Sequence, residues 1–233
     1  MRIVTWNCQM ALAKKMHLLL EQRPDIAIVQ ECSRKSLASL RDHGFQSLWF
    51  GSVPYKGIGI IYRDEWTIRR VAEPRFPWIV PMEFDGPEKF RLIAVWSCPL
   101  KTSFSHYVAC VSDAVEAHSE WFKGAPVLLP GDFNSNAQWD KHTNGAHSSL
   151  VKMLDGNGLV SFYHHHHGKE HGNETEYTHH FRRHLTEPFH IDYVFGPKSW
   201  TERITSCVIG GPLIWNNYSD HCPITIQLDP PKD

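Results

Sequence analysis

Apolar residues along this chain fall in short runs broken by turn residues, with a few longer stretches of helical period. Arg2 to Trp6 reads as a buried strand. Ala11 to Gln22 has the period of a helix, with Leu12, Met16, Leu19 and Leu20 on one face and Pro24 beyond its end. Asp25 to Gln30 reads as a short apolar strand. Ser33 opens a second helix, running to about Arg41 and closed near Gly44. Phe45 to Gly51 and Gly57 to Arg63 read as paired strands joined by a Pro-containing loop. Further strands are expected at Thr67 to Val71, Val80 to Phe84, Arg91 to Ser97 and Val127 to Leu129, with a loop or edge from Glu73 to Pro81. Ser105 to Phe122 is the longest helical stretch, stopped by Gly124. Ser148 to Leu154 reads as another helix, ended by Gly156 and Gly158. The pattern alone gives mixed α and β in one domain over residues 1–233.

Polar islands interrupt the strand-like runs at or just after their ends. They are Asn7, Glu31, Gly131-Asp132-Phe133-Asn134, His190-Ile191-Asp192-Tyr193 and Ser219-Asp220-His221. Carboxylates and amides at strand ends, with one late histidine, suit metal-assisted cleavage of phosphate esters. Oxygen ligands hold Mg²⁺, and acid/base groups handle the water and the leaving group. The glycines of Lys56-Gly57-Ile58-Gly59 are read as close packing rather than phosphate binding.

The order of these islands, from Thr5 to Pro223, resembles the endonuclease/exonuclease/phosphatase superfamily in its exonuclease III-like and deoxyribonuclease I-like branch. The resemblance implies an α+β fold: a four-layer α/β/β/α sandwich of two packed mixed, mainly antiparallel sheets. It implies Mg²⁺ or Mn²⁺ held by Glu31, Asn7 and Asp220. Asn7, Asn134 and His221 would contact the phosphate. Asp132 would orient or deprotonate the water, His221 would stabilise developing charge, and Asp192 would fix the His221 tautomer. His190, two residues before Asp192, is a further phosphate-contacting candidate, weighed evenly against a packing role. One position departs from the family. Cys98 stands about where many members carry a histidine, and a thiol is a poor acid toward an alkoxide. His106, Tyr107 or metal-bound water would have to protonate the leaving group.

Composition narrows the function. Lys and Arg number 24 against 25 Asp and Glu, which argues against tight passive DNA binding. It leaves a nuclease open, because a metal and local basic pairs can bind phosphate; Arg34-Lys35, Arg69-Arg70 and Arg182-Arg183 are the candidates. No apolar run reaches the roughly 20 residues of a membrane span. Six cysteines without a Cys-x-x-Cys pair read as small buried hydrophobes in a reducing compartment, hence a cytoplasmic protein. Cys8, Cys32 and Cys222 are expected to point into the core behind the site. Nine histidines crowd Phe162 to His190, including the run His164 to His167. This segment reads as an exposed polar loop; it could also face substrate, or bind Zn²⁺ or Ni²⁺ adventitiously. The leading expectation is a DNA nuclease. The alternatives are a phosphatase or phosphodiesterase for inositol phosphates, phospholipids or small nucleotides, and a non-catalytic interaction module.

Overall fold

The computed structural model describes residues 1–98 and 104–231. Two six-stranded mixed sheets pack face to face with helical segments outside them, the expected four-layer sandwich. The first sheet contains β1 (Arg2–Asn7), β2 (Ile26–Cys32), β3 (Phe45–Val53) and β4 (Lys56–Arg63). The second contains β5 (Thr67–Val71), β6 (Ile79–Asp85), β7 (Phe90–Trp96), β8 (Val127–Asp132), β9 (Leu159–Ser161) and β12 (Asp192–Pro197). A two-stranded ribbon, β10 (His179–His180) and β11 (Pro188–Phe189), interrupts it in sequence. β13 (Ile204–Ile209) and β14 (Ile224–Leu228) return to complete the first sheet. The orders are β13-β14-β1-β2-β4-β3 and β5-β6-β7-β8-β12-β9.

Alternation along the strands sets the layers. On β7, Leu92, Ala94 and Trp96 face the core between the sheets, while Ile93 and Val95 face the second core under the helices. The helix Phe104–Ala117 supplies Val108, Val111 and Val115 to that second core, and Ala146–Gly156 supplies Leu150 and Leu154. Cys8, Cys32 and Cys222 lie in the first core, as expected, and all six cysteines are free thiols.

Each sheet has one parallel pair near its middle, β1 with β2 and β7 with β8. Parallel strands end at the same edge. Asn7 pairs with Gln30, next to Glu31, and Trp96 pairs with Asp132. β12 runs antiparallel to β8 with Asp192 opposite Asp132, so it begins where β8 ends. β14 is antiparallel to β1, and His221 precedes it at the same end. Gly131 lets this edge form. Its φ is +155°, and a Cβ there would sit 1.9 Å from the Val95 carbonyl oxygen.

Three expectations change. The predicted helix from Ala11 to Gln22 is a 3₁₀ turn, Leu12–Lys14, followed by Met16–Glu21. Lys15 breaks it by turning its ammonium onto the carbonyls of Cys8 (2.6 Å) and Met10 (3.0 Å). The second helix is a 3₁₀ stretch, Arg34–His43, capped by Ser33 and closed by Gly44 at φ +75°. The segment Phe162 to His190 is not an exposed loop. It starts as a helical turn, Phe162–His167, and His164, His180 and His190 are buried. Only part of the run stays outside: His165, His166 and His167 are exposed. The Gly57 reading holds, since a Cβ there would meet the Phe50 carbonyl and the Trp49 ring. No helix among the described residues is long and apolar enough to cross a membrane.

Candidate active site

Asp132 ends β8 fully buried. Its Oδ2 accepts from Asn7 Nδ2 (2.9 Å) and Asn134 Nδ2 (3.1 Å), and its Oδ1 accepts from the Asn134 backbone N–H (2.9 Å). Asn134 reaches this position at φ +47°, a left-handed turn that asparagine tolerates. Asn134 Nδ2 also donates to the Ser97 carbonyl (2.9 Å), tying the end of β8 to the end of β7. Burial, then the nearby Asp192 carboxylate, pushes the Asp132 pKa up to about 7.

His221 Nδ1 lies 2.8 Å from Asp192 Oδ2, and both side chains are buried. Burial alone would lower the His221 pKa. The Asp192 carboxylate, with the hydrogen bond it accepts, outweighs burial and raises the value to about 10. His221 is therefore an imidazolium at neutral pH. Trp6 Nε1 donates to the His221 carbonyl (2.9 Å), and Ser219 Oγ accepts from the His221 N–H (3.1 Å) while donating to the Asn7 carbonyl (2.8 Å). The loop carrying His221 is thus fastened to the loop carrying Asn7.

Glu31 sits in a bulge between Gln30 and Cys32 at φ +60°. A glutamate at positive φ is backbone strain retained at the site edge. Its carboxylate lies 3.1 Å from Lys56 Nζ, which also stands 5.3 Å from the centre of the Trp96 ring. The ligand atoms of Asp132, Asp192 and His221 lie within 4.8 Å of one another, and so do those of His179, Asp220 and His221. Asp192 Oδ1 is buried with no hydrogen-bond partner. The Glu31 carboxylate, which already draws one cation in the Lys56 ammonium, and the Asp220 carboxylate beside His221 supply oxygen donors that fit a hard divalent cation.

Asn134, Asp220 and His179, beside this group, line a cavity of about 740 Å³. Trp139, Phe189, Phe181 and Ile191 form its apolar wall, with Trp139 and Phe189 ring centres 5.0 Å apart. Asn134, Asp220, His179, Gln9 and Arg182 supply polar edges. Arg183 donates to Gln9 Oε1 (2.6 Å) across the rim. Of the three basic pairs, Arg182-Arg183 borders the site; Arg69 is committed to Asp85, and Arg34 lines a separate groove with Arg41.

Asn7, Asp132, Asn134, Asp192, Asp220 and His221 converge at one edge of the sandwich, with Glu31 leaving β2 at the same edge. His190 does not join the group that holds Asp132. Its Nδ1 donates to the Glu176 carbonyl (3.0 Å), and its ring packs 4.5 Å from Tyr163. Cys98 is half-buried, and burial raises its thiol pKa, so it is an uncharged thiol at neutral pH. Burial likewise raises Tyr107, which lines the cavity. The His106 side chain lies outside the described residues. Two residues escaped the sequence reading. Lys56 was read only as a neighbour of packing glycines. His179 was lost among nine histidines, yet its ring lies 4.6 Å from that of His221. Burial, then the His221 charge, lowers the His179 pKa to about 3, so it is a neutral donor or acceptor.

The endonuclease/exonuclease/phosphatase family model matches residues 4–221, nearly all of the chain. The chain belongs to this family. Its members are metal-dependent phosphoesterases as a group. No curated protein matches the chain closely. Several solved structures share the fold. The 3′ phosphatase NExo from Neisseria, bound to a product DNA hairpin, superposes with a TM-score of 0.76 at 18% identity, covering 98% of this chain and 99% of its own. An AP endonuclease from Archaeoglobus fulgidus gives 0.76 at 16% identity, with 98% and 99% covered. TDP2 from D. rerio, complexed with a single-strand DNA product, gives 0.72 at 16% identity, with 98% of each chain covered.

Proposed function

We propose that this family member is a Mg²⁺- or Mn²⁺-dependent phosphodiesterase whose substrate is DNA, an exonuclease III-like enzyme or an endonuclease of low specificity. The observation that carries the reading is the buried Asp132, Asp192 and His221 constellation, whose neighbours Asn134, His179 and Asp220 line an aromatic-walled cavity. Glu31, with Asn7 and Asp220, would hold the cation, which when bound offsets charge on the phosphoryl oxygens. Asp132, with a pKa of about 7, is suited to take a proton from the attacking water. The Asn7 and Asn134 amides hold its carboxylate in one orientation. His221, protonated by virtue of Asp192, faces the charge that develops on phosphorus-bound oxygen. Cys98 is no strong acid, so the leaving group departs without a side-chain proton from that position.

The aromatic faces of the Trp139 and Phe189 wall suit contact with an unpaired base or sugar, and a cavity of this size holds about one nucleotide. NExo and TDP2 were solved with DNA products, which favours DNA as the polymer for a protein of this fold. A second reading, a phosphoesterase for inositol phosphates, phospholipids or small nucleotides, is favoured by the formal net charge of −1. The test is purified protein with Mg²⁺ or Mn²⁺ against plasmid, abasic duplex, single strand, inositol phosphates and phospholipid. Metal-dependent scission of a DNA substrate is the expected result. Turnover confined to the small or lipid panel would replace this reading with the second, and no turnover on any member would point to an interaction module.

A further inference from the structure

A second polar cluster lies buried away from the catalytic carboxylates, in the segment that the sequence presents as a histidine-rich loop. The ligand atoms of His164, His171 and Glu174 lie within 4.8 Å of one another. His164 and His171 stack with ring centres 3.6 Å apart, and the His190 ring lies 5.5 Å from that of His164.

Following the protons identifies the chemistry. His190 Nδ1 faces the Glu176 carbonyl, so it must donate, which leaves Nε2 as a lone pair. That Nε2 is buried and has no partner. His164 Nδ1 bonds Ser161 Oγ (2.8 Å), turning Nε2 toward Glu174 Oε1 at 3.1 Å. His171 Nδ1 bonds His147 Nε2 (3.1 Å), and His147 is in turn fixed by Ser135 Oγ (2.9 Å), so His171 keeps Nε2 for another partner. Glu174 Oε1 already accepts from Asn136 Nδ2 (3.1 Å) and the Gly172 N–H (2.9 Å), while Oε2 is buried with no partner. Two buried acceptors in this pocket, His190 Nε2 and Glu174 Oε2, are orphaned. Histidines whose far nitrogens are anchored, presenting Nε2 beside a carboxylate, are the usual surroundings of a bound transition ion.

We propose that His164, His171 and Glu174, with the unpartnered Nε2 of His190 beside them, form a structural site for a divalent transition ion of the zinc type. Imidazole nitrogens with one carboxylate favour such an ion over Mg²⁺, which prefers oxygen. Its role follows from what the segment holds. Asn136 Nδ2 bridges Glu174 and the His190 carbonyl (2.8 Å). Thr178 Oγ1, four residues beyond Glu174, accepts from the N–H groups of Ile191 and Asp192, both at 3.0 Å. The ion would tie the helical turn, the following loop and the entry to β12 together, and so fix the strand that delivers Asp192.

The experiment uses untagged protein stripped with a chelator, titrated with Zn²⁺ alone, and read by metal content after gel filtration and by thermal unfolding. About one tightly held zinc per chain is expected. The melting temperature should rise by about 5–10 °C at a hundredfold excess of free zinc over Kd. E174Q and H171N should each lose that equivalent. H166A, altering an exposed histidine, and E31Q, altering the catalytic edge, should retain it. If E174Q or H171N fails to fold, X-ray absorption of the wild-type zinc complex decides instead: imidazole and carboxylate neighbours with no sulfur are expected. No retained zinc and no thermal shift would overturn the proposal. So would zinc that survives E174Q and H171N but is lost in E31Q or H166A.

Discussion

Replacing Asp192 by asparagine should strip His221 of its charge, with a pH signature that needs no substrate. The rise of the His221 pKa from 6.5 to about 10 is worth about 5 kcal/mol, at ~1.4 kcal/mol for each tenfold change in proton affinity. That lies at the top of the roughly 3–5 kcal/mol that breaking a buried ion pair costs. Asparagine keeps the shape and accepts from Nδ1–H, a neutral bond that restores about 1 kcal/mol. The net loss is therefore about 4 kcal/mol. Its pH dependence has a definite sign. A histidine whose folded pKa lies above its unfolded value stabilises the fold fully below the unfolded value, and that contribution fades as pH rises through the folded one. The melting-temperature gap between wild type and D192N should be widest below pH 6.5 and close as pH passes about 10. For a chain of this length about 2–4 °C accompanies each kcal/mol, so the gap at pH 6 should be about 8–16 °C. Thermal unfolding of both proteins from about pH 5.5 to 10.5 measures it directly. At pH 8 the variant should also lose about 10²–10³ in metal-dependent turnover, the usual cost of a charge-stabilising donor. A gap that stays constant across this range would mean that Asp192 does not hold the His221 proton.

Two further outcomes are expected. E31Q should abolish Mg²⁺- or Mn²⁺-dependent turnover with little change in melting temperature, because its partner is the partly exposed Lys56 and such pairs contribute only about 0–1 kcal/mol; near-normal turnover at saturating Mg²⁺ would take Glu31 out of the metal role. C98S should leave the rate within about threefold, under ~0.7 kcal/mol, because the thiol is already uncharged; a hundredfold fall with loss of a high-pH limb would make the sulfur catalytic.

The strands and the site residues at their ends were legible because period-two burial and turn residues are local properties of the chain. Asn7, Glu31 and Asp132 stand at the ends of apolar runs that read as strands, and Asp192 and His221 stand just before such runs. The histidine segment was misread for the opposite reason. Sequence assigns polarity residue by residue, yet polar groups can be buried when they partner one another, and those partners come from distant places. His147 on one helix meets His171, and His164 on another meets Glu174 in a loop, only after folding. Lys15 makes the same point on a smaller scale: a helical period predicts a helix, and an inward-turned ammonium that takes three backbone carbonyls breaks it.

What no single strand contains is the joining of the two sheets, and the site is built on that seam. Asn7 leaves the first sheet and donates to Asp132 in the second. Asp192 opens a strand of the second sheet and holds His221, which enters a strand of the first. Gln30 Nε2, buried beside Glu31, spans the same seam to the Val95 carbonyl (3.2 Å). The Asp132 pKa of about 7 and the His221 pKa of about 10 both depend on contacts made across this boundary or on the burial it creates. Neither sheet alone would bury Asp132 or charge His221. A substitution in the inter-sheet core that shifts one sheet against the other is therefore expected to disturb the Asn7–Asp132 and Asp192–His221 contacts as well as the packing. The parallel pairs β1–β2 and β7–β8 explain why the chain tolerates this dependence. They bring four strand ends to one edge before any side chain is chosen, so the chemistry needs only residues placed at or within two positions of each end.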